Sequence, residues 1–216
     1  MRAVAVDSTP REKILDAAEE LFARRGFAGV GLSEIAEAVG LGKSSLFHHF
    51  PTKAQLYAAV VERILHEIED ALTRALAAGG SPVERLDRWV DTIVDLLGAR
   101  PSHARLLLRS LFEDDELSGS SAEEQAADRT LARVIESVSQ LLREGMTGGA
   151  LRAANIPHTL QSLIGLIIYH FASGDFGTEL LGRPAFAPAE VKRRKDEIRA
   201  LLHHGLVVTG ARTRGD

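Results

Sequence analysis

Residues 40–56 read GLGKSSLFHHFPTKAQL, and the reading of this stretch decides how the rest of the chain is understood. Gly40 and Gly42 flank Leu41, and a helix-competent run from Lys43 to Phe50 follows, closed by Pro51. Leu46 and Phe50 stand four residues apart, which puts both on one side of a helix. Lys43, Ser44 and Ser45 open the run, and His48 and His49 lie near its end. A helix of about two turns is too short to be stable by itself. It persists where neighbours hold Leu46 and Phe50, and its polar side is then turned outward.

The flanking sequence supplies those neighbours. SEIAEAV (33–39) reads as a short helix that buries Ile35, Ala36 and Val39 and stops at Gly40. Before it, TPRE (9–12) opens a first helix. Thr9 caps it, Pro10 suits the first helical position, and Glu12 closes a capping box. Ile14, Ala17, Ala18, Leu21 and Phe22 then share one face, Arg24 and Arg25 suit the negative end of the dipole, and Gly26 stops the helix. After Pro51, a fourth helix from about Thr52 to Ala78 spans roughly 40 Å at 1.5 Å per residue, enough to run from one domain into another.

Two short helices joined by VGLGK (39–43) form a helix-turn-helix, whose second helix lies in a DNA major groove. The groove, about 12 Å wide, admits a helix whose leading residues are small or polar and whose inner residues are apolar. ILDAAEELFARRGFAGVGLSEIAEAVGLGKSSLFHHFPTKAQLYAAV (14–60) resembles the N-terminal domain of the TetR family of one-component transcriptional regulators, with apolar residues, glycines and the closing HHFPTK in the family's order.

The resemblance implies an all-α chain: a three-helix DNA-binding domain joined by a long helix to a helical bundle that binds an effector and dimerises. It implies that Lys43, Ser44, Ser45, Phe47 and His48 face bases or nearby phosphates, with Ser33 at the DNA side of the preceding helix. His49 and Lys53 take phosphate roles, and backbone amides at the start of the long helix assist. Three positions depart from the family's pattern. Gly31 and Gly42 stand where hydroxyl residues usually cap the second and third helices, and Phe47 replaces a tyrosine. Glycine costs only tenths of a kcal/mol against serine as a cap, so the expected consequence is weaker phosphate contact, with more reliance on Arg2 and Arg11 in the N-terminal arm.

The remainder reads as helices at a 3.6 period. Leu86, Trp89, Val90, Ile93, Val94, Leu96 and Leu97 face one way on a fifth helix capped by Ser81. Pro101 opens an apolar sixth, an acidic loop EDDELSGSS follows, and Leu131, Val134, Ile135, Val138, Leu141 and Leu142 form a stripe on a seventh. HTLQSLIGLIIYHFAS (158–173) is an eighth, a loop carries Gly177, Gly182 and Pro184, and a last helix runs from about Pro188 to Val208. A helix-turn-helix monomer reads few base pairs, so a self-complementary face is needed. The expected homodimer face is Leu160, Leu163, Ile164, Ile167, Ile168 and Phe171 with Ile198, Leu201 and Leu202, as the resemblance places it. A small-molecule effector, lipophilic because few charges lie on these stripes, is expected against Trp89, Ile93, Leu107, Leu108, Leu111, Phe112, Val138, Ile167 and His170, with His170, Tyr169 or Arg109 orienting it. The basic run KRRKDEIR (192–199) reads as a solvated helix face. The domain division is an arm at 1–9, a DNA-binding domain at 10–54, a regulatory domain at 55–210 and a tail at 211–216.

Composition sets the outer limits. The 216 residues are 45% hydrophobic, carry a net charge of −4 and include no cysteine, so thiolate metal sites and disulfides are excluded. No N-terminal apolar segment suggests a signal peptide, and the longest apolar run is short for a membrane span, so the expectation is a soluble cytoplasmic protein without cofactor or metal. Neither GxSxG nor GxxxxGK[ST] occurs, and His66 with Glu62 lacks further ligands, which argues against an enzyme. The competing expectation is a helical adaptor of the same fold that has lost specific DNA binding.

Overall fold

The computed structural model describes residues 9–110 and 121–208. Arg2 and the arm through residue 8, the expected pocket residues Leu111 and Phe112, most of the acidic loop, and the tail at 211–216 lie outside the described residues. Among the described residues ten α-helices occur: α1 (Pro10–Arg25), α2 (Leu32–Ala38), α3 (Lys43–His49), α4 (Lys53–Ala77), α5 (Pro82–Ala99), α6 (Pro101–Ser110), α7 (Ala122–Thr147), α8 (Ile156–Ala172), α9 (Gly174–Leu181) and α10 (Pro188–Gly205). The only extended pairing among them is an isolated antiparallel bridge between Leu151 and Val207. The fold is all-α, as expected.

Helix starts follow local chemistry. Thr9, Thr52, Ser81 and Ser121 each cap a helix, and each is matched by Glu or Gln three residues on, in a reciprocal capping box. Gly31 and Gly42 head α2 and α3 with no side-chain cap, as their lack of a hydroxyl requires.

α1, α2 and α3 close over Ile14, Phe22, Ile35, Leu46 and Phe50, all fully buried. The first turns of α4 complete this core. Tyr57 meets Phe22 edge-on with ring centroids 5.1 Å apart and Phe27 at 5.4 Å. α1 also buries a second face, which includes Leu15 and the charged Glu19 and packs on α6. The rest of α4 packs along α7, with α5, α8 and α10 completing the larger bundle.

Three features depart from the sequence reading. The loop expected after α8 contains an eight-residue helix, α9, that ends at Gly182 in the left-handed region. The basic run in α10 is not wholly solvated. Lys195 Nζ sits 2.7 Å from Asp95 Oδ1, Arg199 Nη1 3.2 Å from Asp91 Oδ2, and His203 Nε2 2.8 Å from Asp87 Oδ1. Three groups spaced every four residues on α10 thus meet three carboxylates with the same spacing on α5, and this ladder joins the two helices. The third departure concerns the apolar stripes of α8 and α10. Leu160, Leu163, Ile167, Phe171, Ile198 and Leu202 are buried in their own chain, so they are not available to a second copy. Of the residues expected at a dimer face, Leu201 is exposed.

Candidate nucleic-acid interface and apolar cavity

The turn between α2 and α3 is made by Gly40, whose φ of +68° lies in the left-handed region that favours glycine. Leu41 N–H then donates to Ala36 O at 2.9 Å, folding the chain back so that α3 packs on α2. Leu46 is fully buried, which anchors α3. Lys43, Ser44, Ser45, Phe47 and His48 are exposed together on its outer side, and His49 is half-buried. The Lys43 ammonium lies 5.7 Å from the centre of the Phe47 ring, so the cation and the exposed ring share one patch. Ser33 is exposed on α2. The expected DNA-facing residues of α3 therefore occupy one accessible surface.

Lys53 differs from the other seven in placement. Its half-buried side chain donates from Nζ to Phe27 O at 2.8 Å and lies 4.2 Å from the Phe27 ring centre. It ties the start of α4 to the loop after α1, so its ammonium has a structural contact besides any phosphate. Arg25 pairs with Glu34, holding the end of α1 to α2. Arg11 stacks over Phe50 at 5.2 Å and so covers the end of α3.

Beyond the three N-terminal helices, α4, α5, α6, α7 and α8 line a partly open cavity of about 1010 Å³. Of the pocket residues named from sequence, Trp89, Ile93, Leu107, Val138 and Ile167 line it. His170 does not. It faces α10, where burial and the neighbouring Arg194 push its imidazole from 6.5 down to about 4. Tyr169 is 54% exposed and Arg109 is not in the lining, so neither sits where a ligand-orienting group was expected.

The sequence reading missed much of the wall. Ala58, Val61, Leu65 and Ile68 of α4 form one side, and Leu160, Ile164 and Ile168, expected at a dimer face, form another with Ile167. The α4 contribution had a signal, because a helix with apolar residues on several faces cannot satisfy them all against the first three helices. The direction of the α8 stripe had none, since periodicity shows that a face is buried and not against what.

A buried polar junction links head and cavity. Glu19 of α1, 7% exposed, accepts from Arg63 Nη2 of α4 at 2.6 Å and from Ser102 Oγ of α6 at 2.6 Å, and His103 Nε2 of α6 lies 3.3 Å away. Burial alone would raise the Glu19 carboxyl. The neighbouring His103 and the hydrogen bonds from Ser102 and Arg63 outweigh it and bring the group from 4.5 to about 2. α6 starts at this junction and ends in the cavity wall, through Leu107 and Ser110.

The chain is similar to known regulators. The family model for the N-terminal domain of bacterial regulatory proteins of the tetR family matches residues 14–60. FasR of Mycolicibacterium smegmatis, an HTH-type transcriptional activator, is 32% identical over 105 residues, 49% of this chain. The match spans about half of that relative, 46% of its length. RutR of Escherichia coli K12, an HTH-type transcriptional regulator, is 28% identical over 178 residues, 80% of this chain and 77% of RutR. AibR, solved in complex with isovaleryl coenzyme A and operator DNA, has the same fold with a TM-score of 0.71 at 19% identity, covering 88% of this chain and 96% of AibR. A helix-turn-helix with its outer face free, joined to a helical bundle that holds a cavity, agrees with these similarities: residues 14–60 match the N-terminal domain of the tetR family, and the chain as a whole is similar to HTH-type transcriptional regulators.

Proposed function

We propose that the protein is a cytoplasmic repressor that binds a palindromic operator as a homodimer and leaves it when a small lipophilic effector fills the cavity. The observation that carries this reading is that one continuous helix, α4, serves both ends. Its first residues pin the reading head through Lys53 and Tyr57, and Val61, Leu65 and Ile68 form a cavity wall. Domain boundaries near residues 54 and 55 then mark a change of role along a continuous helix, with no break in the backbone.

A ligand that favours a different placement of α4 and α6 acts on the head through the Glu19 junction. Typical coupling energies of about 1–3 kcal/mol weaken operator binding by about 5- to 150-fold. The dimer uses the outer sides of α8 and α10, where Tyr169 and Leu201 are exposed, in place of the buried stripes. FasR is named an activator, so the direction of control is tested directly. Deleting the gene raises reporter expression from the target promoter if the protein represses.

Footprinting on DNA selected from random sequence tests the operator. A two-fold symmetric site with half-sites about 34 Å apart is expected for a dimer. Leu201→Arg with Tyr169→Asp should leave a monomer in sedimentation and lose the symmetric footprint. A single asymmetric footprint from the unmodified protein would exclude the dimeric reading.

A further inference from the structure

We propose that the cavity takes a lipophilic amine, with the protonated head between Glu124 and Asp128 and the apolar body against α4, α5 and α8. The inference rests on the cavity being the effector site. The charged lining residues, apart from His158, are Glu124 and Asp128, four apart on α7 and therefore on one face. No Lys or Arg is among the described lining residues.

Glu124 is 6% exposed and spends Oε2 on the Ser121 backbone amide at 2.9 Å. Among the described residues no cationic side chain pairs with Glu124 or Asp128, although Arg, Lys and His pair with carboxylates throughout the rest of the chain. Two like charges at this spacing repel, and burial of one of them increases the cost. An ammonium group entering the cavity relieves both effects. A carboxylate or an acyl-coenzyme A would add negative charge where nothing compensates it.

Trp89 supplies an independent observation. It is 4% exposed, lines the cavity, and its buried Nε1–H meets no acceptor among the described residues. The unpaired N–H calls for an acceptor on the apolar body of an occupant, since an ammonium has none, and it is the face of the indole ring that suits a cation or an apolar chain placed over it.

Trp89 is the only tryptophan in the chain, so intrinsic fluorescence of the full protein reports on this wall. Dodecylamine, dodecanol and dodecanoate, each below its critical micelle concentration at pH 7, are titrated against the protein. The amine is expected to bind at least tenfold tighter than the alcohol, with the acid weakest. In Glu124→Gln combined with Asp128→Asn the amine should fall to the affinity of the alcohol, while the alcohol is unchanged. Glutamine serves in a capping box as glutamate does, so the start of α7 is retained in that variant. Dodecanoate binding as tightly as the amine, or an amine preference that survives the double substitution, would overturn the inference and leave the cavity reading intact. No response to any of the three compounds would defeat both.

Discussion

Glu19 of α1 and Arg63 of α4 meet at 2.6 Å across the junction between the reading head and the bundle, and Arg63 also holds Asp16 at 2.7 Å. A carboxylate hidden between α1, α4 and α6 is tolerated because Arg63 and Ser102 hydrogen-bond it, with His103 Nε2 3.3 Å away. The same contacts make it a mechanical tie, since α6 cannot shift far without leaving Glu19 short of a partner.

Removing this charge has a pH signature. The folded-state carboxyl, at about 2, lies below its ordinary 4.5. Its contribution to stability is therefore present above pH 4.5 and is lost as the pH falls toward 2. Denaturant midpoints measured from pH 6 down to pH 2 should fall more steeply for the unmodified protein than for Glu19→Gln, and the two curves should converge at the acid end. Parallel curves would mean that Glu19 is not held as described.

The same substitution loosens the link between α6 and the head. Glu19→Gln should keep cavity binding and reduce the effect of a bound ligand on DNA affinity, seen by titrating DNA with and without ligand. An unchanged ligand effect would place the coupling elsewhere along α4.

His170 behaves in the opposite chemical sense. Its folded-state value of about 4 lies below the ordinary 6.5, so the imidazole is neutral in the fold while the unfolded chain takes up a proton. Stability is lost as pH falls from 6.5 to about 4 and levels below that. His170→Phe, which keeps a ring beside Phe171 at the position where the two now meet edge-on, should flatten this part of the curve in thermal melts. A slope that persists between pH 4 and 6.5 would assign the titration to another group.

The missing hydroxyls can be restored. A Cβ at Gly31 or Gly42 meets nothing within 4 Å, and both residues have negative φ, −103° and −68°. Gly31→Thr and Gly42→Ser should therefore fit, stabilise by about a few tenths of a kcal/mol as caps, and tighten DNA binding through new phosphate contacts. Isothermal titration against the selected operator measures the second effect, and weaker binding would place these positions away from DNA.

Leu46 and Ser45 separate folding from reading. Leu46→Ala empties a fully buried position and should cost about 2–5 kcal/mol. Ser45→Ala, on the exposed side, should leave the melting temperature unchanged and reduce operator affinity. Loss of stability in Ser45→Ala would mean that the outer face of α3 is packed in solution.

Local signals carried the head, and long-range ones did not carry the bundle. Thr9 with Glu12, Gly40 at the turn, and Leu46 with Phe50 all act within a few residues, so their pattern is readable along the chain. The ladder of Asp87, Asp91 and Asp95 against Lys195, Arg199 and His203 is periodic on each side, but the partners are more than 90 residues apart. The glycines around α9 read as a loop in the sequence. Yet a Cβ at Gly177 would meet Ser173 Oγ at 2.0 Å, so that glycine marks close contact within a helix. Glu19 was hidden for a related reason: α1 buries two faces, and the second is set by α6, which lies about 80 residues further on.

The most direct test is fluorescence anisotropy of the purified protein on the DNA upstream of its own coding region, titrated with salt. Lys43→Ala with His48→Ala serves as the control, and Lys53 is left in place because it holds the Phe27 carbonyl. Saturable binding that falls steeply with salt is expected, each phosphate contact adding about 0.9 to the slope of log affinity against log salt, with a control that loses both tightness and part of the slope. Weak binding that is the same for both proteins, there and on genome-wide selected DNA, would contradict it and point to an adaptor that keeps the fold without reading DNA.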